Sequence, residues 1–253
     1  MSRVRVIPVL TIDNNKLVKT VKFKKPNYIG DPVNAVKIFN EKEVDEIVLL
    51  DITATKEGRE PSYSKIEEIC SEAFMPFAYG GGITNMTQID KLFQLGIEKV
   101  ILNSVLGQND QLVKEATKKF GSQSIVGSID VKKSIFGKYQ VYTKSGSQKA
   151  KLDLTDYLKK VLDYGIGELI LTSIDNDGTY LDYDLKLVEL VSNITEIPLV
   201  ACGGANSLES FKLAIESGAS AVAAGSLFVY RGRTNGILIN YPSQKELRSI
   251  NFA

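Results

Sequence analysis

Short β-branched, apolar runs recur along the chain near 4–12, 46–52, 76–81, 99–103, 124–130, 168–174, 198–202 and 221–225. Between them the apolar positions fall into helical spacing, near 31–43, 62–73, 85–95, 109–119, 153–165, 182–192 and 207–217. Alternation of this kind, with no linker-like break, predicts a parallel β/α architecture: a closed barrel or, less favourably, a doubly wound open sheet. The segment 131–152 breaks the rhythm. Its Tyr139–Thr143 run, followed by Ser145-Gly146-Ser147, predicts a small hairpin between the fifth strand and its helix.

An internal repeat separates the two architectures. A shift of 122 residues aligns 46–104 with 168–226 without a gap, and ten of the 59 pairs are identical. Most of the identities mark strand starts, strand ends or turns: Glu46 meets Glu168, Pro76 meets Pro198, Gly81-Gly82 meets Gly203-Gly204, Gly96 meets Gly218, and Ser104 meets Ser226. A duplicated four-strand unit closes naturally into eight strands. The expected fold is therefore a TIM (β/α)8 barrel made of two similar half-barrels, with residues 1–253 forming one barrel domain. The length agrees with the roughly 250 residues typical of that fold.

Composition narrows the chemistry. Lysine and arginine number 31 against 30 acidic residues, so no broad basic field exists and nucleic acid is not an expected partner. Any anion site must be local. Histidine is absent, which excludes the Ser-His-Asp triad, histidine acid–base catalysis and histidine-based zinc sites. Acid–base work falls to Asp, Glu, Lys, Tyr or Cys, and no metal or cofactor is expected. Cys70 and Cys202 stand far apart among apolar neighbours, as buried free thiols in a reducing compartment would. No signal-like or membrane-spanning run is present, so the expected location is cytoplasmic.

In a barrel of this type the chemistry belongs where strands run out into βα loops. Gly80-Gly81-Gly82 and Asn103-Ser104 occupy such places in one half, and Gly203-Gly204 and Gly225-Ser226 occupy the equivalents in the other. Glycines there let backbone N–H groups approach an oxyanion, and a following helix N-terminus adds favourable partial charge. Two such cradles suit a phosphorylated small molecule with an anionic group at each end. Carboxylates sit at the same ends: Asp51, Asp130, Asp175 and Asp177. Asp130 is a candidate general acid or base, whereas Asp51 equally fits a capping role. Lys19 either neutralises a phosphate or is simply solvated. Aligning Val6–Thr11 with Ile125–Asp130 sets Thr11 opposite Asp130, so a two-carboxylate site would be one acid short. Asp13 is two residues on, where the chain is expected to have left the strand.

These residues resemble the cyclase subunit of imidazole glycerol phosphate synthase. The resemblance runs from Arg5-Val6-Ile7-Pro8 through Leu50-Asp51-Ile52-Thr53, Tyr79-Gly80-Gly81-Gly82-Ile83, Phe120-Gly121-Ser122-Gln123 and Leu171-Thr172-Ser173-Ile174-Asp175 to Ala201-Cys202-Gly203-Gly204-Ala205. It implies a glutaminase on the bottom of the barrel, whose ammonia travels along the axis to react with a bisphosphorylated ribulosyl intermediate at the top. The family's two catalytic aspartates map onto Thr11 and Asp130. Its phosphate contacts map onto Gly82, Asn103 and Ser104, and onto Asp177, Gly178, Gly204, Gly225 and Ser226. Its lower gate maps onto Arg5, Glu46, Lys99 and Glu168, which by sequence alone are charges at strand starts that commonly serve stability.

A subgroup is more similar still. It shares stretches like Lys16–Phe23 and Phe39–Glu46 and lacks the first aspartate. That likeness implies work beside a glutaminase and an N-acetyl sugar amidotransferase, turning acetamido into acetamidino groups for bacterial surface polysaccharide. The leading expectation is such a diverted synthase subunit. The alternatives are an active cyclase of histidine synthesis, with Asp13 or a water held by Thr11 replacing the acid, and a catalytically silent scaffold.

Overall fold

The eight runs become eight parallel strands, and their register shows how they close. In the computed structural model, which describes residues 4–231 and 236–249, these are β1 (Arg5–Asp13), β2 (Ile47–Asp51), β3 (Phe77–Gly80), β4 (Lys99–Leu102), β5 (Ile125–Lys133), β6 (Glu168–Ser173), β7 (Leu199–Cys202) and β8 (Ala221–Ala224). Each pairs with the next in sequence. The last returns to the first, with Arg5–Pro8 against Ala221–Ala224, so the sheet is a closed (β/α)8 barrel.

Helices α1 (Pro32–Glu41), α2 (Tyr63–Cys70), α3 (Met86–Gln94), α4 (Asp110–Phe120), α5 (Leu154–Leu162), α6 (Leu185–Ser192), α7 (Leu208–Glu216) and α8 (Gln244–Ser249) follow the strands in turn. The sequence had suggested seven; α8 adds one. None of the helices in the described residues is long and apolar enough to cross a membrane. The repeat reaches into their caps. Asn85 and Ser207, matched by the 122-residue shift, each close a reciprocal capping box on α3 and α7. Each such cap stabilises its helix by about 1 kcal/mol.

Two apolar clusters divide the core. The larger lies between strands and helices and includes Leu10, Ile47, Leu49, Tyr79 and Phe211. The smaller fills the barrel interior with Ile7, Val9, Val48, Ala78, Ile101, Val126, Ile170, Val200, Ala221 and Ala223. The division follows from the two-residue period of a strand, which sends successive side chains to opposite faces. Residues sharing the parity of Ile7 point inward, and those sharing the parity of Val6 and Leu10 point outward.

Below the inner cluster lies a charged layer. Arg5 Nη1 donates to Glu46 Oε2 at 2.5 Å and Arg5 Nη2 donates to Glu168 Oε1. Lys99 Nζ lies 2.9 Å from a carboxylate oxygen of both glutamates. The four expected gate residues thus form a closed ring at the N-terminal mouth, with both carboxylates buried.

Two hairpins rise at the opposite mouth, after the first strand of each half. One extends β5 against Tyr139–Thr143, with Gln148–Lys149 beyond, as the sequence suggested. The other extends β1 against Lys16–Val21, which pairs in turn with Lys24–Gly30. This second hairpin was not expected from the apolar periodicity. The turn that closes it on β1, Asn14-Asn15, has φ values of 47° and 63°, left-handed angles that asparagine accommodates; the next turn, Lys22-Phe23, reaches 54° and 59° without Asn or Gly.

The ring makes a prediction about stability. Burial pushes the Glu168 pKa up, but the hydrogen bond and charge of Arg5, then those of Lys99, outweigh it and hold the group below its ordinary value of 4.5. A carboxyl lowered in this way contributes stability above about pH 4.5 that is lost as the pH falls below it. Arg5→Met leaves two buried carboxylates with Lys99 alone, so the expected loss at pH 7 is about 3 kcal/mol. Urea unfolding of the variant and the parent should show that loss shrinking between pH 5 and pH 3.

Candidate active site

Above the inner apolar layers, the same inward parity delivers a polar layer: Thr11 on β1, Asn103 just past β4, Ser128 and Asp130 on β5, Thr172 on β6 and Cys202 on β7. All line one cavity of about 410 Å³ that opens at the C-terminal mouth. Asp130 is 7% exposed. Asn103 Nδ2 holds it, donating to Asp130 Oδ2 and to the Ser128 carbonyl oxygen, each at 3.0 Å. Burial pushes the Asp130 pKa up to about 7 against the hydrogen bond from Asn103; the charge of Asp177 adds to the rise and Thr172 opposes it. A carboxyl poised near neutrality can both give and accept a proton, the property a general acid–base group needs.

Thr11 sits opposite, as the half-barrel alignment implied, but its hydroxyl is engaged elsewhere. Thr11 Oγ1 donates to the Val18 carbonyl oxygen at 2.5 Å, across the β1 hairpin in which Thr11 and Val18 face each other. The hairpin also corrects an expectation about Asp13. The chain remains in the strand through Asp13, because pairing with Lys16 extends β1. Asp13 nevertheless accepts from Asn14 Nδ2 at 2.9 Å and stays outside the cavity wall, so it brings no second carboxylate to Asp130.

The paired glycines lie on two sides of the cavity. Gly82 and Ser104 line one, and Gly204, Gly225 and Ser226 the other. Both serines open short helical turns, Ser104–Gly107 and Ser226–Val229. The glycines are sterically required. At Gly82, φ is 71° and a Cβ would come within 2.6 Å of the Arg59 carbonyl oxygen. At Gly204, φ is 107° and a Cβ would overlap the Asp182 carbonyl oxygen. The Gly82 N–H donates to Thr55 Oγ1 at 3.2 Å, a side chain an anion would have to displace. Ser104 Oγ accepts from Lys144 N at 3.0 Å, which ties this side to the hairpin on β5.

Lys19 is buried rather than solvated, with Nζ 3.6 Å from Asp177 Oδ1. It rests against Gly225, where an added Cβ would lie 2.6 Å from the ammonium. Asp177 and Gly178 complete that wall. Asp51 shows the capping alternative: its Oδ1 accepts from Thr53 N at 3.0 Å and Ala54 N at 2.9 Å, and Arg59 Nη1 lies 3.5 Å from Oδ2. Asp175 is likewise committed, accepting from Lys133 N at 2.8 Å.

Cys202 departs from its expected place. The residue is half-buried and lines the cavity, while burial pushes its thiol pKa up to about 12. It is a neutral, inert wall. Cys70 is also half-buried. Thr172 and Cys202 were legible as site residues from strand parity, two positions beyond inward Ile170 and Val200. Tyr180, whose hydroxyl donates to the Ser226 carbonyl oxygen at 3.1 Å, comes from a loop and carried no such signal.

Fold and site together define a (β/α)8 protein with a buried carboxyl of raised pKa in a cavity walled by glycines on two sides, and a charged ring at the far end of the same axis. Residues 5–235 match the family described as histidine biosynthesis protein, and the chain belongs to that family. It is 45% identical over 248 residues to "Putative imidazole glycerol phosphate synthase subunit hisF2" of Pseudomonas aeruginosa, covering 98% of this chain and 99% of that one. A Vibrio vulnificus protein, "Putative imidazole glycerol phosphate synthase subunit hisF3", is 46% identical over 248 residues, covering 97% and 95%. "Imidazole glycerol phosphate synthase subunit HisF" of Petrotoga mobilis is 40% identical over 227 residues, covering 89% and 90%.

Asp130 yields a pH prediction. A group whose pKa is raised on folding contributes stability below its unfolded pKa and loses it as pH rises through the folded value. For Asp130 that window runs from its ordinary 3.8 to about 7. Asp130→Asn removes the ionisation, so it should stabilise the protein at pH 8 relative to its effect at pH 4, by on the order of a few kcal/mol. Thermal unfolding of both proteins at the two pH values measures the difference.

Proposed function

We propose that this chain is the synthase subunit of a glutamine amidotransferase, a cyclase-type barrel that receives ammonia from a glutaminase docked at its lower mouth. On this reading ammonia passes the ring of Arg5, Glu46, Lys99 and Glu168, crosses the inner apolar layers, and meets an anionic ligand held between Gly82, Asn103 and Ser104 on one side and Asp177, Gly178, Gly204, Gly225 and Ser226 on the other. The relatives named as synthase subunits support it. So does a shallow groove beside the ring, lined by Cys70, Phe74, Pro76, Leu95 and Glu98, where Phe74 is 86% exposed. An exposed aromatic next to a charged patch is the kind of anchor a protein interface uses.

The reaction at the top is read as diverted from cyclisation. The observation that carries this is Thr11, a hydroxyl at the position facing Asp130 and already bonded to the Val18 carbonyl. A threonine hydroxyl does not ionise near neutral pH and cannot act as a carboxylate base. We assign the ammonia instead to an acetamido sugar handled with an N-acetyl sugar amidotransferase, in surface-polysaccharide synthesis in the cytoplasm. A second reading, an active cyclase of histidine synthesis, is favoured by the intact Asp130 with its pKa near 7.

Supplying the purified chain with ammonia and the ribulosyl bisphosphate intermediate separates the two. Absence of one positioned acid–base group costs on the order of 10²–10⁴ in rate, so turnover far below about 1 s⁻¹ is expected. Turnover at or above that rate establishes the cyclase reading.

A further inference from the structure

Thr11 stands at the end of β1, where its neighbours make it more than a lost acid. Its hydroxyl donates to the carbonyl of the Val18–Lys19 peptide. That peptide belongs to the hairpin strand whose next side chain, Lys19, is 5% exposed and reaches into the wall of Asp177 and Gly225. We propose that Thr11 is a positioning residue: its bond to Val18 fixes the hairpin so that the Lys19 ammonium charges the cradle formed by Gly204, Gly225 and Ser226. The inference rests on the reading that this cradle holds the phosphate end of the ligand.

Three observations carry the argument. The Thr11–Val18 bond is buried, so water does not compete for it. Lys19 has little freedom of its own, because Nζ lies between the Asp177 carboxylate and the Gly225 backbone, and any side chain at Gly225 would meet the ammonium. The strand is held close by: Lys22 N donates to the Asp177 carbonyl oxygen at 2.9 Å, so the hairpin and the cradle loop share one scaffold. Thr11 is the anchor of that scaffold on the barrel side.

An ionised carboxylate at position 11 has no proton to give. Placed where Oγ1 now sits, it would oppose the Val18 carbonyl oxygen and push the hairpin, with Lys19, away from the cradle. The hydroxyl suits a barrel that grips an anion firmly, with Asp130 as its one acid–base group.

The test is titration of the full-length chain with inorganic phosphate, followed by phosphorus NMR and calorimetry, in a double-mutant cycle. A charge-assisted contact to phosphate is worth about tenfold or more in affinity, so Lys19→Met should weaken binding by at least that factor. Thr11→Val, which keeps the shape and removes the donor, should weaken binding about fivefold, and Thr11→Ser should restore it to within about twofold of the parent. In the Lys19→Met background, Thr11→Val should add nothing, because its effect runs through Lys19. Acetylation of Lys19, followed by mass spectrometry, should be faster in Thr11→Val than in the parent. The proposal is overturned if Thr11→Val binds phosphate like the parent, or if its effect persists undiminished without Lys19. If the parent itself binds no phosphate at millimolar concentration, the cradle reading fails, and this inference fails with it. Circular dichroism of each variant checks folding, and the serine variant keeps the test valid should valine unfold the hairpin.

Discussion

Everything placed along the axis of this barrel depends on the two-residue period of a strand. Once Ile7 faces inward, Arg5 must face the lower mouth and Thr11 the upper one, with Val9 between them. The same parity puts Glu168, Ile170 and Thr172 in one inward column and Lys99, Ile101 and Asn103 in another. A shift of one residue in any strand would exchange these columns for outward neighbours such as Val6 and Leu10. Charged ring, apolar layers and polar cavity are therefore three levels of a single stack, fixed by closure of the sheet.

The half-barrel repeat imposes symmetry on that stack, and the site depends on where the symmetry fails. Glycine pairs, helical turns at Ser104 and Ser226, and capping boxes at Asn85 and Ser207 recur at matched places. The hairpins also recur, one after β1 and one after β5. Thr11 and Asp130 occupy equivalent positions yet do different work: one ties a hairpin strand to the barrel, the other keeps a titratable proton. Lys19, on the hairpin of the first half, forms a buried pair with Asp177 of the second half.

How much of this was legible in the sequence follows from the kind of interaction involved. The strands and the closure were readable because they rest on periodicity and the repeat, whereas the ring of Arg5, Glu46, Lys99 and Glu168 was singled out only through the family resemblance. The hairpin at Lys16–Gly30 was not legible. Its first turn, Asn14-Asn15, does carry the asparagines that suit left-handed angles, but lysines interrupt the apolar alternation of the strand that follows, and the second turn, Lys22-Phe23, takes such angles with neither glycine nor asparagine. Missing that hairpin hid three facts at once: β1 continues to Asp13, Thr11 has a partner in Val18, and Lys19 is buried. Asp51 was readable as either cap or ligand contact, and only the positions of the Thr53 and Ala54 amides show its commitment to the turn. Cys202 was expected in a dry interior because its sequence neighbours are apolar, but it stands one level above inward Val200, where the barrel interior opens into the cavity.

The two hairpins have an electrostatic consequence. Segments 16–30 and 131–152 contain eleven lysines and no acidic residue, so the rest of this nearly neutral chain carries ten more acids than bases. The molecule is thus a dipole, with cations concentrated on the arms that flank the cavity. A field of that shape draws small polyanions toward the open end from beyond contact distance and turns acidic surfaces away from the remainder of the barrel. Its reach is set by ionic strength, about 8 Å under physiological salt, so its pull on small anions is stronger in dilute buffer than in the cell.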